Sequence, residues 1–524
     1  MNNTIQPVAT SGRGRPWSLF LGVRVAGIVL YCLMSLGLGA CASDEGDMLR
    51  FGMASSPVTL DPRMATDAAS ARINRLLYDS LVDFNASSVP IPALAHWKSL
   101  SNTHYRFYLQ TGKIFHHGKA VTAHDVKATY DFILDKSNVS PHRATLSLIK
   151  EISVIDDLTL DFLISKPDPL FPNYLVVGIV PMDLVAQNHA FNKEPVGSGP
   201  FKFLDWPQDG RLILQRVKDE QKVAFLKVPN PTVRVLKLLN GEIDMTQNDL
   251  LPELVEYLRK TGTVQVSSGA GINFSYLGFN AEDPVVGNLL VRQAIAHALD
   301  RDAIIKYVMG DTARPASAIL PPSHWAGNPA LREIPYDPAK SRALLAAAGF
   351  TPQNPVRITY KTSNDPFRVR LATVIQHQLH QAGIEVEIRS YDWGTFYGDI
   401  KAGRFQMYSL SWVGIKSPDI FSYVFHSNAV PPEGANRGRF RNAEVDRLID
   451  TAKIETDRQK MAQYYQQLQA LLLAELPYVP LWYEDHYMVA RNNIQGYTLA
   501  PDGNYDGLIT TTRRDAAHLA GVAP

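Results

Sequence analysis

Cysteine is all but missing from this chain. Cys32 and Cys41 are the only two in 524 residues, and both fall in the first 41, so no disulfide can form within the remainder. An excess of one charge is missing too. The 52 basic and 51 acidic residues give a net charge of +1, which leaves no electrostatic footprint for nucleic acid. No repeat of about 20 to 50 residues recurs and no low-complexity linker interrupts the chain, which excludes solenoid and bead-on-string architectures. Catalytic spacing is absent as well. There is no His-Glu-x-x-His helix for zinc and no Gly-x-Ser-x-Gly elbow for a serine nucleophile. Gly112 to Ala120 has the outline of a phosphate loop, but five residues separate Gly112 from Gly118 and Ala120 stands where magnesium needs a hydroxyl. His116 and His117 are adjacent, so on a strand they face opposite ways and cannot grip one metal together. Asp156-Asp157 fits a turn between strands. These absences argue against an enzyme and imply neither cofactor nor metal.

What is present begins with a leader. Arg13, Arg15 and Arg24 precede an apolar stretch from Val25 to Gly39, which is too short to span a bilayer and reads as a secretory signal occupying residues 1–40. Leu38-Gly39-Ala40-Cys41 resembles a bacterial lipoprotein signal, whose cysteine becomes a lipidated first residue; the alternative is a small-residue cleavage site with an incidental cysteine. A lone thiol in an exported chain favours the lipid. Residues 41–47 are small and polar, as a leash between lipid and domain requires. The remainder is too long for one core, and 45% hydrophobic with 10% aromatic residues supplies more than one.

Periodicity predicts an α/β protein. Tyr105–Leu109 and Ile384–Ile388 alternate as strands with one buried face. Asp337-Pro338 opens a helix that Gly349 closes, a strand covers Val356–Tyr360, and Leu371, Ile375 and Leu379 mark a helix over 367–382. A short helix over 391–401 and a strand over 405–412 complete a strand-helix-strand-helix-strand order. That order predicts parallel strands with a ligand beyond their carboxyl ends. The loop Trp412 to Asp419, rich in Gly, Ser and Pro, is therefore a candidate binding loop; a polar connector carrying a core Trp is the alternative.

Several segments in order resemble the extracellular solute-binding family 5, which includes dipeptide- and oligopeptide-binding proteins of bacterial ABC importers. They are Thr59-Leu60-Asp61-Pro62, Leu77–Val82, Pro92–Ala95 with Trp97, and Phe115–Lys119 with Thr122–Val126. Gly197–Phe201, Leu277–Asn280, Val291–Ala294 through Leu299–Arg301, Asp337–Lys340 and Pro477–Leu481 follow. Within this pattern Gly118 turns a hairpin, and Thr122 with Asp125 caps the helix of Val126, Tyr130 and Ile133.

The resemblance implies a periplasmic-binding-protein type II fold: two lobes, an inserted subdomain and a ligand cleft between the lobes. Residues 48–86, 190–278 and 485–524 would form lobe I, 87–189 the inserted subdomain and 279–484 lobe II. It implies a monomeric receptor at the periplasm or cell surface, anchored through Cys41, that hands a peptide to ABC permease subunits. Peptide receptors of the family carry an aspartate three residues after the loop Trp, to pair with the α-ammonium group; here that position is Ile415. Asp419 could substitute, or Lys416 could receive an anion, so an opine, sugar or metal chelate stays open beside peptide, as does an envelope sensor or chaperone. The ligand contacts implied are Trp412, Lys416, Asp419, Asn436 and Arg437, with Asn280 and Trp393.

Overall fold

The computed structural model describes residues 48–207 and 210–514. The leader, Cys41, the leash and the last ten residues of the expected lobe I lie outside the described residues. Among those described, an 11-stranded sheet forms the backbone of the molecule. Its spatial order runs Ile384–Tyr391, Val356–Ser363, Met407–Trp412, Val264–Phe279, Tyr478–Arg491, Met245–Gln247, Leu49–Met53, Lys222–Lys227, Leu212–Arg216, Phe201–Asp205. Ala313–Pro315 adds to Tyr478–Arg491 off this path.

Two long strands run through the middle of this sheet. Val264–Gly269 pairs with His486–Arg491, and Asn273–Gly278 pairs with Tyr478–Glu484. Pairing lapses between Gly269 and Asn273, and a Cβ on Gly271 would sit 2.0 Å from the Glu484 carbonyl oxygen. Only glycine permits that close approach. Asp485 clamps the irregularity by accepting from the Gly271 N–H (3.1 Å) and from Arg314 Nε (2.8 Å), while Arg314 Nη2 donates to the Gly271 carbonyl (2.6 Å).

The predicted βαβαβ unit is present. Val356–Ser363 pairs in parallel with both Ile384–Tyr391 and Met407–Trp412. Pro338–Ala347 starts where Asp337 accepts from the Lys340 N–H (2.9 Å), and Pro366–Gln381 buries Leu371, Ile375 and Leu379. The sheet here separates two apolar cores, because side chains alternate across it. Phe274, Tyr276 and Tyr408 enter one core, Leu277, Phe279 and Met407 the other.

A separate four-stranded antiparallel sheet, Ala95–Ser101, His104–Leu109, Thr159–Ile164 and Ile149–Asp156, falls within 87–189, the residues expected to form the inserted subdomain. His104–Leu109 alternates between half-buried and buried positions as its pattern requires. Gly118 turns the expected hairpin at a φ of +92°, and Thr122 with Asp125 forms the capping box of Ala123–Leu134. The core of this subdomain is continuous with the Trp412 face of lobe II.

Candidate functional site

The parallel strands end in Ser363, Tyr391 and Trp412, and the Trp412 loop leaves from this edge. It touches segments far apart in the sequence. Lys416 forms an ion pair with Asp502 and lies 5.5 Å from the Phe84 ring centroid, both in segments expected to belong to lobe I. Ser417 accepts from Asn173 Nδ2 of the subdomain (3.2 Å), and the Gly414 N–H donates to Asn273 Oδ1 (3.1 Å) beside the break in the long strands. His324 holds the loop from beneath. Its Nδ1 accepts from the Ala326 N–H (3.0 Å), so Nε2 carries the proton and donates to the Lys416 carbonyl (2.9 Å). Burial pushes the His324 pKa down to about 4, which keeps this tautomer neutral.

Around Trp412 the strands build an aromatic group with a cation inside it. The Arg437 guanidinium sits 4.8 Å over the Trp412 ring and 5.3 Å over that of Tyr397. It donates to the hydroxyls of Tyr276 (3.3 Å) and Tyr397 (3.2 Å). Tyr276 stacks on Tyr478 at 3.8 Å and meets Tyr408 edge-on at 5.9 Å. Gly278 makes room for Tyr408, since a Cβ there would lie 2.5 Å from that ring. Trp393 stacks on Tyr397 at 5.4 Å and is 58% exposed, forming the open side of the group.

On the other face of the strand lies a polar cluster. Ser275 Oγ donates to Glu484 Oε1 (2.7 Å), Ser411 Oγ contacts the Ser275 hydroxyl (2.6 Å), and Arg368 Nη1 pairs with the same Glu484 oxygen (3.0 Å). Burial pushes the Glu484 carboxyl up, but Arg368 and the two serines outweigh it and hold it below the usual range.

The expected contacts divide in two. Trp412, Arg437 and Trp393 come together. Lys416, expected as a possible receiver of an anion, holds Asp502 of its own chain. Asp419 faces the subdomain: burial and Asp168 push its pKa up to about 6 against the opposing pull of Ser417 and Lys453. Asn436 is buried and used within its loop, donating to the His426 and Phe440 carbonyls (3.2 and 2.7 Å) and accepting from the Phe440 N–H (2.9 Å). Asn280 lies beyond the far end of its strand from Trp412 and donates to the Gly403 carbonyl (3.3 Å). Both amides hold loops, the commonest use of Asn outside regular structure. Ile415 packs against the apolar core, so no acid stands where peptide receptors place one.

Tyr276, Tyr397, Asp502 and the Glu484 cluster were not anticipated. Tyr276 adjoins the Leu277–Asn280 motif that resembles the family, which is the one signal that could have found it. The Lys416–Asp502 pair joins segments too far apart in sequence for any pattern to link them.

The model of bacterial extracellular solute-binding proteins, family 5, matches residues 87–431, more than half of the chain. The chain belongs to this family. The di/tripeptide-binding protein 1 of Pseudomonas aeruginosa is 27% identical over 502 residues, 87% of this chain and 92% of its own length. Heme-binding protein A of Haemophilus influenzae is 28% identical over 509 residues, 88% and 92% of the two chains. The periplasmic binding protein DppA of Helicobacter pylori, solved with the peptide STSA, superposes with a TM-score of 0.75 at 28% identity, covering 89% of this chain and 98% of that one. Two lobes, an inserted subdomain and the cleft between them are thus the family's fold. No helix among the described residues is long and apolar enough to cross a membrane.

Proposed function

We propose that this chain is the extracytoplasmic receptor of an ABC-type importer, tethered by lipid at Cys41, that closes two lobes over a peptide or peptide-like solute and delivers it to the permease. Residues 48–86, 190–278 and 485–524 act as one jaw and 279–484 as the other, with 87–189 inserted. The observation that carries this reading is the Trp412 loop, which leaves the carboxyl edge of the lobe II strands and meets Asp502 and Phe84 of the opposite lobe. The lapse in pairing at Gly269–Asn273 gives the jaws a hinge. The chain acts as a monomer and releases its solute unaltered.

A second reading, a non-peptide solute such as an opine, sugar or metal chelate, is favoured by Ile415, which offers an ammonium group no counter-charge. A thermal-shift screen over peptides and these classes tests the proposal, because a solute at 100 times its dissociation constant stabilises the bound form by about 2.7 kcal/mol. A shift with one class is the expected result, and none with any class overturns it. For the tether, Cys41→Ser is expected to move the protein from the membrane to the soluble fraction; unchanged fractionation contradicts lipidation.

A further inference from the structure

The cations on and around the parallel strands differ in one respect. Lys361 pairs with Asp399 at 2.7 Å, Arg368 with Glu484 at 3.0 Å, Arg404 with Asp399 at 2.8 Å, Arg439 with Glu282 at 3.6 Å and Lys416 with Asp502. Arg437 is 6% exposed, yet among the described residues no carboxylate oxygen lies within 4.0 Å of it. Its hydrogen bonds go to two tyrosine hydroxyls at 3.2 and 3.3 Å, at the long end of the range, and its faces rest on rings. Rings and phenols compensate a guanidinium only in part, and a buried one calls for an anion. A neighbouring donor in the same group is unsatisfied. The indole N–H of Trp412 is buried without an acceptor, which is uncommon for a tryptophan.

Arg437 thus lacks a counter-charge and the Trp412 N–H lacks an acceptor, and the two groups meet at the carboxyl edge of the parallel strands, where the fold places ligands. Resting on the receptor reading above, we propose that Arg437 and Trp412 form an anion subsite, and that the solute carries a carboxylate there. Selectivity would then run opposite to that of a receptor holding an ammonium group. The exposed Trp393, stacked on Tyr397, offers an apolar flank to the part of the solute next to the charge. The carboxylate could belong to a peptide C-terminus, an acidic side chain or a non-peptide acid, and guanidinium recognises all three through the same two-oxygen geometry.

Three acid and amide pairs separate these sources, measured by calorimetry on the whole chain: N-acetyl-Ala-Phe and its C-terminal amide, N-acetyl-Glu-Phe-amide and N-acetyl-Gln-Phe-amide, and 3-phenylpropionate and its amide. In at least one pair the acid is expected to bind at least tenfold more tightly. Arg437→Gln is expected to remove that preference, and Trp412→Phe, which deletes the N–H and keeps an aromatic ring, to reduce it about threefold. The acid and amide comparison needs no variant, so the test stands even if Arg437→Gln fails to fold. Equal binding of acid and amide in every pair overturns the proposal, as does a preference undiminished in folded Arg437→Gln. If free-amine dipeptides bind while none of the acids does, the subsite falls and the receptor reading survives. If no probe and no dipeptide binds, both fall.

Discussion

Two arginines flank the strand Met407–Trp412, and they are compensated in opposite ways. On one face Arg368 meets Glu484, which two serine hydroxyls also support, so the cluster is electrically closed. On the other face Arg437 meets rings and phenols only. The first arrangement spends its charge on the fold. The second keeps its charge for something outside the fold, at the edge where the family's cleft lies. Position on the sheet therefore does not distinguish structural from ligand-facing arginines here; the identity of the counter-charge does.

Breaking the closed cluster is expected to produce the largest effect. Glu484→Ala leaves Arg368 without its partner and is expected to cost about 3 kcal/mol in chemical denaturation, whereas Arg437→Met is expected to stay within about 1 kcal/mol of the parent. Equal losses from the two would erase the distinction. The packing that holds Arg437 in place can be disturbed without touching charge. Gly278→Ala drives a methyl group to 2.5 Å from the Tyr408 ring and is expected to cost about 2 kcal/mol, read by the same denaturation curves.

This comparison also shows how far the sequence could be read. The helices at 338–347 and 366–381 and the parallel strands between them were legible because capping residues and apolar spacing are local signals. Trp412 was legible from strand order. The backbone contacts of Asn436 and Asn280 were not legible, because a polar residue in a loop looks the same whether it meets a ligand or a backbone carbonyl. The partner of Lys416 was hidden because Asp502 lies on a distant segment of the chain, brought near only by the fold. That Arg437 has no carboxylate beside it is a fact of three-dimensional neighbours, which no spacing rule reports.

The Trp412 loop carries an acidic counterpart to Arg437. Asp419, with its pKa pushed up to about 6 by burial and Asp168, holds its proton more tightly folded than unfolded. Below about pH 4 both states are protonated and the group costs nothing; as pH rises through 6 the folded state loses stability. Asp419→Asn is therefore expected to stabilise the protein by about 2 kcal/mol at pH 8 and to make no difference at pH 3.5, as followed by thermal melts across that range. A benefit that grows toward low pH would contradict the assignment. Lys416 extends the comparison. Its pair with Asp502 is more buried than that of Arg368 with Glu484, so Lys416→Ala, which strands the Asp502 carboxylate, is expected to cost about 3 kcal/mol in the same denaturation curves, with little dependence on salt.

The central claim is that the cleft holds a solute and returns it unchanged. Native mass spectrometry of the protein, incubated with a mixture of peptides, N-acetylated peptides, opines, sugars and metal chelates, tests it most directly. One solute per chain, recovered at its original mass after release and enriched in molecules bearing a free carboxylate, is the expected result. A protein that remains at its own mass with every class, or one that returns a solute of altered mass, contradicts the account.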